Sequence, residues 1–234
     1  MLLSYGKKVS VSSSLEGYPA ENIVDEDART AWVAQSNRDM EWAQVDLQRL
    51  SSIHAIQVNF DEYGANQKGA VSGVYQSYLI YASVNGEDWS LVVDYGTKKT
   101  DTPHDYIEFE EPFKARYIKL QNKEYTVSEN FSVRDLRIFG KGQGSTPRAV
   151  NDFTVERDEA DPCKARLCWE AVPDAQGYIV RYGIAGDKLY NNFQVMGENT
   201  LEIGSLNKGV AYYFTIDAYN ENGITRTSRI KVCR

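Results

Sequence analysis

Cysteine and histidine are scarce in this chain of 234 residues, which has three of the first and two of the second. The cysteines, Cys163, Cys168 and Cys233, all fall in the last third. So few exclude a disulfide-dense scaffold, and their spacing fits no zinc site. Neither His54 nor His104 stands beside a Ser or Cys in a nucleophile setting, and no Gly-rich phosphate loop leads from a strand into a helix. Long apolar runs are missing too. None nears the roughly 20 residues that span a bilayer, so membrane insertion is not expected, and MLLSYGKK is too short for a signal peptide. Positive charge is in deficit, with 26 Lys and Arg against 33 Asp and Glu and a formal net charge of −7. That leaves no basic face for a phosphate backbone or an anionic bilayer, and nucleic acid is disfavoured as a partner.

What is present is aromatic and β-branched. Sixteen Tyr, four Trp and many Val, Ile and Thr residues lie between Gly, Asn and Asp clusters, a composition that suits half-buried strands. An all-β chain of two modest domains is expected, each large enough to bury its own core. The chain reads as a piece of something larger and as a monomer.

From residue 8 to about 140, short alternating runs are separated by turns. EWAQVDL puts Ala43, Val45 and Leu47 on one face and Trp42, Gln44 and Asp46 on the other. HAIQVNF follows, then YLIYASV and LVVDY across Asn85-Gly86, a pair that predicts a two-residue type I′ hairpin. ARYIKLQN and VRDLRIFG complete about eight strands, the number of a jelly-roll sandwich. Two long connections, Asp61 to Gln76 and Asn122 to Ser132, mix tyrosines with amides and glycines. Loops of that length are uncommon in compact domains unless they carry function. Residues 142–149, in GKGQGSTPRAV, read as a linker. A smaller set of about seven strands, over 150–234, has sandwich spacing.

NIVDEDARTAW, residues 22–32, places Asp25, Asp27 and Thr30 on one tight loop. Hard oxygen ligands of this kind suit calcium, with Asp135 of SVRDLRIFG as the closing ligand from the far end of the domain. The spacing is not that of an EF-hand, because no glycine follows Asp27 where required and no Glu closes a 12-residue loop. Aspartates in turns also serve simply as backbone caps, and both readings stand on the residues alone.

The Asp loop, the WAQVDL strand, the SVNGEDW hairpin, ARYIKL and the final DLRIFG together resemble the F5/8 type C, or discoidin, fold as used by family 32 carbohydrate-binding modules. The resemblance covers residues 5–140 of a domain that spans residues 1–141. It implies a structural calcium held by Asp25, Asp27, Thr30 and Asp135 with the carbonyls of Asn22 and Arg134. Glu26 stands where that family has glycine, and Asp135 where it more often has Glu. Residues 150–234 resemble a fibronectin type III module, with Trp169 as the core tryptophan and Tyr212 as the tyrosine whose hydroxyl bonds back to upstream backbone. The expected fold class is therefore a discoidin-like jelly roll followed by a smaller Ig-like sandwich. In that second sandwich Cys163 and Cys233 would lie at one pole, and a bridge between them and a free-thiol trio are equally open.

The pair is similar to the C-terminal, non-catalytic region of Bacteroidetes glycoside hydrolases of the family 43 or β-hexosaminidase type. This implies an extracytoplasmic protein that binds a plant or host glycan and is joined to its own catalytic domain. The 33 acids make carboxylate pairs unavoidable, so they do not argue for catalysis, and no enzyme activity is expected. Candidate sugar residues are Tyr63, Asn66 and Tyr75 on the first long loop, Arg38 before Trp42, and Tyr125 with Phe131 on the second. Phe131 has a core alternative and Tyr75 an alternative as a lid. Trp32 and Trp89 are assigned to structure. Two rival functions are protein adhesion without a sugar site and lipid binding through Val71 and Val74, which the acidic balance opposes.

Overall fold

The computed structural model describes residues 1–65 and 73–234, which form two compact units, Met1–Gln143 and Gly144–Arg234. The first contains β1 (Lys8–Val11), a 3-10 turn (Ala20–Val24), β2 (Trp32–Val33), β3 (Trp42–Phe60), β4 (Gln76–Ser83), β5 (Ser90–Tyr95), β6 (His104–Tyr125) and β7 (Ser132–Gly142). Among the described residues these seven strands make one antiparallel sheet in the order β2-β7-β3-β6-β4-β5, with β1 added to β3.

EWAQVDL and HAIQVNF, expected as separate strands, are the two halves of β3. At about 3.3 Å per residue its 19 residues would reach about 60 Å if straight. A unit of this size is only about 40 Å across, so the strand has to bend. The bend falls where the pairing of β3 with β6 slips, between Asp46 and Ser51, and there Gln48 adopts φ 66°. Residues 42–46 pair with 117–121 of β6, and residues 51–59 with 104–115 and with β7. The sheet curls on itself around one core, and both ends of β3 arrive at the same pole. Hydrogen bonds show this convergence: the Tyr125 hydroxyl, from the end of β6, donates to the Asp61 carbonyl just past β3, while Asn37 Nδ2 donates to the Tyr125 and Ser128 carbonyls at 3.1 and 2.8 Å.

The alternation in WAQVDL holds. Ala43, Val45 and Leu47 are buried, as are Ile118, Leu120, Tyr78 and Ile80 opposite, while Trp42, Gln44 and Asp46 lie half-buried on the outer face. Two turn expectations are corrected. Asn85-Gly86 is not a two-residue type I′ turn, because only Gly86 has positive φ (84°). The connection spans residues 84–89, and Asn85 Oδ1 accepts from the Glu87 and Asp88 amides, closing an Asx-type loop. The second long loop is also shorter than expected, since β6 continues through Tyr125 and its partner Gln76.

The second unit contains β8 (Phe153–Arg157), β9 (Ala165–Trp169), β10 (Gly177–Gly183), β11 (Asn191–Met196), β12 (Thr200–Ile203), β13 (Tyr212–Asn220), β14 (Gly223–Thr225) and β15 (Lys231–Cys233). They form a sheet β11-β10-β13-β14 with β15 also on β13, and a sheet β12-β9-β8. Trp169 is buried edge-on to Tyr178 with centroids 5.1 Å apart, and the Asn207 amide donates to the Tyr212 hydroxyl at 3.3 Å. Residues 144–146, expected as linker, are tied to this unit: Asn222 Oδ1 accepts from the Gly144 amide, and Asn220 and Asn222 donate to the Ser145 carbonyl.

The Cys163–Cys233 bridge, one of the two options, is not formed, and Cys163, Cys168 and Cys233 are free thiols. The Arg157 side chain stands at this pole instead. Its guanidinium donates to the carbonyls of Pro162, beside Cys163, and of Asn207 and Val210, and it also faces Cys233. Burial raises the Cys233 thiol above the usual range.

Candidate functional site

Asp25 closes the opening turn of the first unit on itself. Its Oδ1 accepts from the Asp27 amide at 2.8 Å and its Oδ2 from the Thr30 hydroxyl at 2.7 Å. Asn22 Nδ2 donates to the Ala31 carbonyl at 2.8 Å. Asp27, by contrast, turns outward, and its carboxylate is gripped by Arg29, which holds it below the usual range. Glu26 has φ 62°, the left-handed backbone that a family glycine would supply without cost, and its carboxylate meets Arg137 on β7 at 3.0 Å.

Asp135 is buried on β7 opposite Asn59, whose Nδ2 donates to its Oδ2 at 2.8 Å. Among the described residues its other oxygen, Oδ1, is buried without a hydrogen-bond partner, and the cation that approaches it is Arg137 Nη2 at 3.9 Å. A buried carboxylate oxygen left unpaired is costly. This orphan fits a hard cation between the turn and β7, which the 3-10 turn packs against. Asp27 fits less well, and among the described residues no three acidic, His or Cys side chains converge as a metal cluster. The side chain of Arg134 is engaged elsewhere, donating to Asp61 Oδ1 at 2.6 Å.

The sugar candidates separate by burial. Tyr125 and Phe131 are 2% and 1% exposed and pack edge to face with centroids 5.4 Å apart, so they are core. Burial pushes the Tyr125 hydroxyl well above its ordinary range. Both were expected on a long loop, but Tyr125 ends β6 and Phe131 directly precedes β7, so the two rings close the core at the end of the sandwich. Tyr75 is half-buried, its hydroxyl donating to Glu124 at 2.5 Å. Tyr63 lies half-buried against Tyr18, centroids 4.9 Å apart. Asn66 and Val71 lie outside the described residues, and Val74 is half-buried.

Arg38 is exposed at the mouth of a concavity of about 500 Å³ lined by Ser12, Ser13, Gln35, Ser36, Asp39, Met40 and Glu41. Glu41 is its fixed point: Ser12, Ser13 and Ser36 all donate hydroxyls to its carboxylate, the last two at 2.8 and 2.7 Å. Partial burial raises this carboxyl, but the three hydroxyls and Arg38 outweigh burial and hold it below its usual range. Met40 has φ 84° and is 62% exposed, a strained and solvent-facing apolar residue beside polar groups. Of the residues lining this concavity the sequence singles out only Arg38, and not Glu41, Met40 or the serines. Nothing in their spacing announces a site, because the lining comes from both sides of β2.

The F5/8 type C domain model matches residues 8–136, more than half of the chain. Lactadherin from Rattus norvegicus is 33% identical over 110 residues, and the match covers 44% of this chain and 25% of that protein's length. Among solved structures, chitosan-binding module 1 of a Paenibacillus sp. IK-5 chitosanase/glucanase aligns with TM-score 0.51 at 20% identity, covering 60% of this chain and 99% of the module. Module 2 of that enzyme, solved with chitotriose, aligns with TM-score 0.50 at 19% identity over 59% of this chain and 99% of its own. The fold of the first unit is thus shared with carbohydrate-binding modules.

Proposed function

Because this chain belongs to the F5/8 type C domain family, we propose that its first unit is a non-catalytic carbohydrate-binding module whose sugar site is the concavity around Arg38 and Glu41. The observation that carries this is the fixed Glu41 carboxylate, pre-ordered by three serine hydroxyls, in an open cleft that the exposed Arg38 also lines. Sugar hydroxyls are bound by such paired acceptors and donors, and groups already held in place lose little entropy on binding. Met40 offers the apolar surface for a ring face, with the Tyr18–Tyr63 pair as a further candidate. A module of this fold was solved with chitotriose, which makes chito-oligosaccharides sensible first probes.

A structural calcium ion bound by Asp25, Thr30, Asp135 and the carbonyls of Asn22 and Arg134, with Asp27 peripheral, accompanies this reading. It is supported by the orphaned Asp135 oxygen. The second unit is a fibronectin type III module, supported by its three-plus-five strand arrangement, Trp169 and the Tyr212 hydroxyl contact. The pair serves as the accessory and spacer region of a secreted bacterial glycoside hydrolase. Isothermal titration against chitotriose, galactose and plant oligosaccharides tests the sugar site: Arg38→Ala should abolish binding that the parent shows, with the melting temperature unchanged. Binding indifferent to Arg38→Ala and Glu41→Gln would place the sugar elsewhere.

Protein adhesion keeps one supporting observation. On the second unit Phe193 and Met196 of the uncharged edge strand β11 are 49% and 43% exposed, and Tyr190 just before it is 78% exposed. Concentration-dependent self-association lost in Phe193→Lys would favour it.

A further inference from the structure

We propose that the outer face of the first unit, centred on Lys119, is a second glycan site that takes a sugar bearing an anionic group, carboxylate or sulfate. Pairing aligns Ser10, Gln44, Lys119, Tyr81 and Leu91 in one row across β1, β3, β6, β4 and β5. Neighbours in a row share a face, and the buried Val45, Ile118, Leu120 and Ile80 fix that face as the outer one. No carboxylate stands in this row.

Lys119 differs from several other cations of this unit. Arg116 is held by both oxygens of Asp46 at 2.8 Å, Lys98 by Asp105 at 2.7 Å and Lys123 by Asp39 at 2.6 Å. The Lys119 ammonium instead lies over the Trp89 ring, 4.1 Å from its centroid, and 5.3 Å from that of Tyr81, and among the described residues neither an acid nor a hydrogen-bond acceptor meets it. Trp89 is itself braced edge-on against Tyr117 at 6.5 Å. Lys119 is half-buried as a residue, and desolvation lowers its pKa, the direction expected of a cation that lacks an anion. Aromatic faces offset only part of lost hydration, whereas an incoming anion would complete it. Gln44, next to Lys119 in the row, has a half-exposed amide to share the anion. Leu91, 48% exposed beside Tyr81, gives the sugar ring an apolar flank. In a chain of net charge −7 the row itself carries a single charge, and it is positive.

That the anion is borne by a sugar rests on the carbohydrate-binding reading above, but this face shares no residue with the Arg38 concavity. The test is native gel electrophoresis of the whole chain through gels containing polygalacturonate, dextran sulfate or neutral galactan. Retardation by one of the two acidic polymers is expected, decreasing with added NaCl, and which polymer acts tells carboxylate from sulfate. Lys119→Gln should weaken it at least about fivefold, the scale of one partly desolvated ion pair. Lys119→Arg should retain it, and Arg38→Ala should leave it unchanged. Leu91→Asp, which sets a carboxylate near Lys119 at an exposed position, should weaken it without touching the lysine. No retardation by either acidic polymer, or equal retardation of the parent and Lys119→Gln, would overturn the proposal. Loss of galactan binding alone, in Arg38→Ala, would concern only the loop site.

Discussion

Glu26 and Arg137 meet at 3.0 Å although 111 residues separate them, and their contact joins the opening turn of the first unit to its last strand. It sits next to the unpaired oxygen of Asp135, so the local electrostatics of turn, strand and any bound cation are coupled.

Left-handed backbone at Glu26 costs about 1–2 kcal/mol for a residue with a Cβ. The ion pair, about a third exposed on both sides, returns about 1 kcal/mol at most. Glu26→Ala keeps the strain and loses the pair, while Glu26→Gly loses both. The melting temperature of the first unit should therefore fall in Glu26→Ala and stay close to the parent in Glu26→Gly, by calorimetry.

Calcium should raise that same transition, by about 2.7 kcal/mol at a hundredfold excess over its dissociation constant. Asp135→Asn should remove the response, and Asp27→Asn should reduce it less, since Asp27 faces Arg29. Melting in calcium against melting in EGTA reads this directly. An unchanged transition in the parent would remove the metal from the proposal.

Glu41 sets a pH dependence. Its folded pKa is depressed, so its contribution to stability is complete above the unfolded value, near 4.3, and is lost as pH falls through the lower folded value. Comparing melts between pH 6 and pH 3, Glu41→Gln should lose less stability over that range than the parent. Above pH 6 both should be flat with respect to this group.

Phe131→Ala should cost about 3–5 kcal/mol of first-unit stability, because the ring is buried among Trp32, Phe60 and Tyr125. Any effect on glycan binding should follow unfolding. A variant that melts like the parent yet fails to bind would return Phe131 to the sugar site.

Arg157→Lys should destabilise the second unit by about 2 kcal/mol, since one ammonium cannot reproduce a fork that reaches the carbonyls of Pro162, Asn207 and Val210. Chemical denaturation followed on that unit's transition checks it.

Period-two alternation in WAQVDL was enough to assign a strand and its buried face, because side-chain direction in a strand is a local property. Composition was enough for an all-β chain, and the loop from Asp25 to Thr30 announced its own hydrogen bonds through short-range chemistry. Other features depended on residues far apart in the chain. The bend that makes EWAQVDL and HAIQVNF one strand, the closing of the core by Tyr125 and Phe131, Arg157 in place of a Cys163–Cys233 bridge, the serines around Glu41 and the unpaired Lys119 were decided in the tertiary structure. Burial and charge pairing depend on what arrives from across the sheet, and one chain's local pattern carries no record of those partners.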